Sequence, residues 1–258
     1  MSDIHHQRQV AEAFGADAER YDRARPTYPE SMIKRIVDAS PGPDFLDVGT
    51  GTGIAARQLQ AAGCHVLGLD VDDRMAAQAR KHGLDVEVSK FEDWNPAGRH
   101  FDAIVAAMTW HWIDPIAGAT KAAEILEPGG LIALMWNVFE APPDLKPTFA
   151  EINARIVPEF PNPWASPIPM VQAYQAIFDK AIDGLAAARA FTAPEQWRVD
   201  WDLVYTRDEW LNVVPTFGGL AARLAPETLN ELLTAMGDAI NDTVAIHYST
   251  VTVTAKRA

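Results

Sequence analysis

The nine residues FLDVGTGTG, Phe45 to Gly53, restrict the fold of this chain more than any others. A short apolar run enters a loop with glycine at 49, 51 and 53. From Ile54 to Ala62 apolar residues then recur with helical spacing at Ile54, Ala55, Leu59 and Ala62. The order is strand, loop, helix. Glycine admits positive φ and lets a ligand approach the main chain where a Cβ would block it. A loop at the carboxyl end of a strand is where open α/β sheets bind ligands, and the helix behind it offers unpaired N–H groups to negative charge. Gly49, Thr50, Gly51 and Gly53 are the candidate contacts of this loop.

Two ligand classes compete for it. A dinucleotide fingerprint, G-x-G-x-x-G, requires a third glycine for close helix–strand packing, and that position is Ile54. Asp47, an acid at the start of the loop, repels a pyrophosphate and suits a ligand with an ammonium group. An NAD-dependent oxidoreductase is thereby disfavoured. The pattern D-x-G-x-G-x-G resembles the nucleotide loop of class I S-adenosylmethionine-dependent methyltransferases. A second strand, CHVLGL, ends in Asp70, where an acid can accept ribose hydroxyls. The resemblance gives the acid at Asp70 that role and lays Val71 along the adenine.

Later segments extend the resemblance. Asp72 is placed to cap a helix from about Asp73 to His82, which puts Met75 on the first turn as a second adenine contact. A third strand, Leu84 to Val88, precedes Phe91-Glu92-Asp93-Trp94. In the family an acid in this loop accepts from the adenine amino group, so Phe91 and Asp93 are candidates beside the reading of a solvated acidic turn. FDAIVAAM, Phe101 to Met108, is a buried strand followed by Thr109-Trp110-His111-Trp112-Ile113-Asp114. Asp114 caps, and Pro115 opens, a helix expected to reach Leu126. His111 and Trp112 are candidate substrate contacts: an imidazole could take a proton from a hydroxyl or hydrogen-bond an acid, and indole faces pack near a sulfonium. Core packing is the competing reading. The "HWxD" phrase is similar to that of trans-aconitate methyltransferases, and LEPGG before an apolar fifth strand, Leu131 to Trp136, also resembles the family. Upstream, "F…Y…RPxYP" resembles its amino-terminal cover, which makes Tyr21 and Arg25 candidates for the cofactor's carboxylate. A plain amphipathic helix fits those residues equally.

The segment from Phe139 to Pro194 differs in composition, holding half of the chain's 18 prolines together with helical patches at Thr148–Val157 and Met170–Ala181. It reads as a cap over the ligand. Alternation then predicts strands over Trp197–Tyr205 and Ala245–Ala255, with Thr206 to Glu209 as a capping box and an apolar helical stripe from Leu229 to Ile240.

The expected fold is α/β: a Rossmann-like doubly wound sheet, mostly parallel with an antiparallel edge strand, plus a helical cap. Residues 1–138 and 195–258 would bind S-adenosylmethionine, with 139–194 as the inserted substrate cover. Length 258 and 48% hydrophobic residues allow a sizeable core. A formal charge of −13 argues against a nucleic-acid partner. His5-His6 reads as a solvated pair, and the other histidines lack metal-site spacing, so no metal is expected. The single cysteine, Cys64, excludes an intrachain disulfide. The absence of an apolar leader or spanning run predicts a soluble, cytoplasmic protein without membrane partners. The expected function is methyl transfer to a small molecule, a carboxylic acid or a hydroxyl. A non-catalytic S-adenosylmethionine-binding protein is the alternative from another class. Acceptor and oligomeric state are not legible.

Overall fold

The structure, a computed structural model, describes residues 14–258. His5-His6 and the start of the amino-terminal helical pattern, at Val10, lie outside the described residues. The chain begins with a 3-10 turn at Phe14–Asp17 and helix α1 (Ala18–Ala24), where the Asp17 side chain accepts from the Arg20 N–H. In helix α2 (Glu30–Ala39) the spacing of Met32, Ile33, Ile36 and Val37 predicts an inward face; the first three are buried and Val37 is partly so.

The central run is β1 (Asp44–Val48), α3 (Ile54–Ala61), β2 (His65–Asp70), α4 (Asp73–Lys81), β3 (Asp85–Val88), β4 (Phe101–Ala107), α5 (Pro115–Ile125) and β5 (Leu126–Glu140). Asp72 and Asp114 cap α4 and α5, each accepting from first-turn backbone N–H groups. Helix α6 (Lys146–Ile156), a 3-10 turn at Pro163–Ala165, α7 (Met170–Ala173) and α8 (Gln175–Ala188) follow. The chain closes with β6 (Glu195–Thr206), α9 (Arg207–Val213), a 3-10 segment at Val214–Gly219, α10 (Leu220–Arg223), α11 (Pro226–Asp238) and β7 (Thr243–Lys256). Thr206 and Glu209 form the expected capping box.

Seven strands form one sheet in the order β3-β2-β1-β4-β5-β7-β6. Pairings among β1 to β5 are parallel, whereas β7 lies antiparallel to both β5 and β6. Alternate residues of the central strands supply two cores, one on each face. Leu46, Ile104, Ile132, Leu134 and Trp136 face one way; Phe45, Val105, Ala133 and Met135 face the other. Strand order reverses between β1 and β4, which opens a crevice at their carboxyl ends.

Most boundaries fall within a residue or two of expectation, and two elements differ by more. The fifth strand is longer than Leu131–Trp136 at both ends: the LEPGG turn is itself drawn into the sheet, and Asn137 to Glu140 continue the pairing with β7. The Gly129 N–H donates to the Arg257 carbonyl, and the Arg257 N–H to that of Gly130. The helical patch from Met170 breaks at Tyr174, and α8 runs on to Ala188.

The apolar packing also divides residues 139–194. Phe178, Ala181 and Leu185 of α8 join the sheet core beside α5. Phe149, Ile152 and Trp164 instead form a separate cluster with Trp210 and Val213 of α9, Leu232 and Met236 of α11, and Tyr248. The roof over the carboxyl ends of the strands is thus assembled from α6, α9 and α11, which are distant in sequence. Among the described residues no helix is long and apolar enough to cross a membrane.

Candidate active site

A cavity of about 550 Å³ lies at the topological crevice, between the glycine loop and the roof. The loop is hung from β2: the N–H groups of Gly49 and Thr50 both donate to the Leu69 carbonyl, at 2.7 and 3.0 Å. Its three glycines serve different ends. A Cβ at Gly49 would lie 2.1 Å from the Thr109 methyl, and one at Gly53 would lie 2.1 Å from Leu84 Cδ1. Those two are packing glycines, and Gly53 does not line the cavity. At Gly51, with φ of 57°, a Cβ would meet nothing nearer than Met75 Cε at 3.5 Å, so here the main chain is left open to a ligand.

Asp70 stands at the end of β2 against this opening. Its Oδ2 accepts from the Gly51 N–H at 2.8 Å and its Oδ1 from the Asp72 N–H at 2.9 Å. Each oxygen keeps a lone pair for a further donor. Burial pushes its pKa up, against the lowering effect of those backbone donors. Val71, 43% exposed, and the buried Met75 line the same side of the cavity.

Asp47 is placed beneath the loop and does not line the cavity, unlike the direct contact expected. It is 1% exposed; Oδ2 accepts from the Thr50 hydroxyl at 2.7 Å, and Oδ1 has no partner among the described residues. Burial, followed by the nearby Asp70 charge, raises its pKa to about 7 even though the Thr50 bond lowers it. The carboxyl braces the loop from below.

In the loop after β3, Phe91 lines the cavity and is packed against Trp110, with ring centroids 6.1 Å apart. Asp93 is exposed and stands outside, while Glu92 lines the wall. The reason is the turn: the Trp94 N–H donates to the Phe91 carbonyl, Phe91 and Trp94 both turn into the core, and Asp93 is left on the outer side.

The TWHWID segment separates by role. Trp110 is core, 2% exposed. Thr109 Oγ1 donates to the Gly49 carbonyl at 3.1 Å, joining this loop to the glycine loop. His111 and Trp112 line the cavity with rings 4.7 Å apart. The Trp136 indole N–H donates to His111 Nδ1 at 3.2 Å. Nδ1 is therefore an acceptor, and the neutral ring carries its proton on Nε2. Desolvation lowers the His111 pKa to about 4. The sign follows: stability from the neutral ring is present above the unfolded pKa near 6.5 and is lost as pH falls toward 4. An NMR titration should find His111 neutral, with Nε2 protonated, down to about pH 5; a midpoint near the ordinary 6.5 would refute this.

Tyr21 and Arg25 both line the cavity. Arg25 turns toward the roof: Nη2 donates to the Thr216 carbonyl at 2.8 Å, and the guanidinium lies over Phe217 at 5.1 Å and Tyr21 at 5.2 Å. Helix α1 and the segment after it are clasped to the glycine-loop helix, since Arg57 Nη2 reaches Asp22 of α1 at 2.7 Å and Gln58 bonds the main chain of Tyr28, beyond α1, in both directions. Sequence reasoning missed Asn137, which holds Thr250 and the Thr27 carbonyl, and Asn153 of α6. For Asn153 a signal existed: it lies four residues after Phe149, on a stripe otherwise apolar. Among the described residues no group of three or more His, Cys, Asp or Glu is placed to hold a metal ion.

A 3-2-1-4-5-7-6 sheet with an open glycine loop and an acid at the end of β2 defines a class I S-adenosylmethionine-dependent methyltransferase domain. The cofactor fits on this chain's own features: the open main chain at Gly51 and the Asp70 carboxylate beside it, both lining the cavity. The family described as "Methyltransferase domain" matches residues 21–158, more than half of the chain, and the chain belongs to it. It is 31% identical over 135 residues to an uncharacterized methyltransferase of Mycobacterium bovis, covering 50% of this chain and 54% of that protein. A ubiquinone biosynthesis O-methyltransferase of Cereibacter sphaeroides is 27% identical over 179 residues, covering 66% of this chain and 71% of that one. A solved structure from Anaeromyxobacter dehalogenans, inferred to be a type II methyltransferase, shares the fold at 18% identity. Its TM-score is 0.66, with 90% of this chain and 97% of that chain covered. The chain spans about half the length, 54%, of the first curated relatives it matches.

Proposed function

We propose that this protein transfers a methyl group from S-adenosylmethionine to an oxygen of a small molecule held beneath the roof of α6, α9 and α11. The observation that carries the reading is the continuity of one cavity from Asp70 and Gly51 to Asn153, Trp164 and Phe217. One end suits a nucleoside and the other an apolar acceptor. The family match supports methyl transfer, and relatives named for ubiquinone biosynthesis and malonyl-[acyl-carrier protein] O-methylation support an oxygen acceptor. When bound, the cofactor supplies an electrophilic methyl group on a sulfonium.

The chain's own residues position and enclose. Asp70 accepts ribose hydroxyls, Val71 and Met75 flank the adenine, and Phe91 closes that end. Tyr21 and Thr50 complete the wall, with Asp47 fixing the loop. Catalysis then rests on alignment of the acceptor oxygen with the methyl group. His111 offers Nε2–H as a donor to an acceptor oxygen. Its Nδ1 is occupied by the Trp136 N–H, so it is not poised as a general base. An acceptor that is already an oxyanion needs no base.

The test is turnover. Methyl-labelled S-adenosylmethionine, incubated with the protein and a panel of small acids and phenols, should give a labelled small-molecule product and S-adenosylhomocysteine. Tight cofactor binding with no product across the panel would favour a non-catalytic binding protein.

A further inference from the structure

The roofed half of the cavity has a one-sided polar lining. The chain carries 35 acidic residues against 22 basic ones, yet the acids lining the cavity are Asp70 and Glu92, both at the cofactor end. Among the described residues, nothing under the roof carries a carboxylate. What stands there is donors. The Arg25 side chain makes one hydrogen bond among the described residues, to the Thr216 carbonyl; its buried Nε has no acceptor there, and it makes no ion pair with them. Asn153 is 6% exposed, lines the cavity, and leaves its Nδ2 without a partner among the described residues. His111 contributes Nε2–H through the tautomer that Trp136 selects. A buried donor with no acceptor costs free energy, and a guanidinium with no counter-charge costs more, so such groups in a ligand cavity mark where the ligand supplies acceptors. Around them the walls are aromatic: Phe139, Phe160, Trp164, Tyr174 and Phe217.

We infer that the acceptor is an organic anion, a carboxylic acid with an aromatic or similarly apolar body, and that Arg25 and Asn153 of this chamber read its carboxylate. The inference rests on the methyl-transfer reading and deepens it. It also moves Arg25 from the cofactor's carboxylate, its expected partner from sequence, to the acceptor's: its bond to Thr216 and its stacking on Phe217 hold it against the roof. The guanidinium fork and the Asn153 amide match the two oxygens of a carboxylate.

The protein loaded with S-adenosylhomocysteine is titrated by calorimetry with phenylacetate, 3-phenylpropionate and 2-naphthylacetate, each beside its primary amide and the corresponding amine. At least one carboxylate should bind ten-fold or more tighter than its amide, and the amines should not bind. Arg25→Gln should remove that preference while S-adenosylhomocysteine affinity stays within two-fold, and Arg25→Lys should restore part of it. Asn153→Asp, which places an acid in the chamber, should abolish it independently if the Arg25 variants do not fold. Carboxylates no tighter than amides, no binding in any series, or an Arg25→Gln variant that loses the cofactor product and keeps the preference would each overturn the inference. Failure of S-adenosylhomocysteine itself to bind would instead remove the methyl-transfer reading.

Discussion

Replacing Asp70 by Ala should weaken S-adenosylhomocysteine binding roughly 10- to 150-fold, the loss of a charged hydrogen-bond acceptor worth on the order of 1.5–3 kcal/mol. Asp70 acts twice. It presents lone pairs to the cavity and holds the Gly51 and Asp72 N–H groups at 2.8 and 2.9 Å. Truncation therefore strips those two donors of their acceptor and loosens the loop as well as the ligand contact. Asp70→Asn separates the effects. Its amide oxygen can still take one backbone N–H, so stability should fall less than in Asp70→Ala, while affinity should stay low because an amide lacks the charge. Calorimetric affinity and thermal melting measured on both variants check this. Wild-type affinity in Asp70→Ala would refute the role.

Gly51→Val should abolish cofactor binding, by roughly 100-fold or more in Kd, about 2.8 kcal/mol. Two costs coincide there. A β-branched residue at φ of 57° is strained by about 1–3 kcal/mol. The added side chain also fills the space that only Met75 Cε approaches, at 3.5 Å. Gly63→Val is the control. Gly63 has φ of 94° with nothing within 4 Å of a Cβ, so it should lose a comparable amount of stability and keep its affinity. Equal losses of affinity in the two variants would mean that strain acts alone and that Gly51 does not border the ligand.

What was legible in the sequence was local. The glycine loop, Asp70 at the end of its strand, the Asp72 and Asp114 caps and the alternation of β6 and β7 each announce themselves within about ten residues. They sufficed for the α/β sheet and for the end of the cavity lined by Gly51 and Asp70. Less legible was anything decided by which neighbour turns inward. Glu92 and Asp93 are adjacent acids, and the turn that buries Phe91 and Trp94 chooses between them. Gly53 and Asp47 belong to the motif, yet packing against Leu84 and the Thr50 hydroxyl places them behind the wall rather than in it. The roof was least legible. Its α6, α9 and α11 contributions meet only through tertiary packing of Phe149, Trp164, Trp210 and Leu232. Proline content marked part of this region and also took in α8, which the sheet core claims.

The central claim is the cofactor class, and parallel calorimetric titrations of the purified protein with S-adenosylhomocysteine and with NAD test it most directly. The loop has Ile54 where a dinucleotide fingerprint needs glycine, and a buried acid, Asp47, beneath it. Saturable one-to-one binding of S-adenosylhomocysteine with no heat from NAD is the predicted result. Binding of NAD, or of neither ligand, would contradict the account.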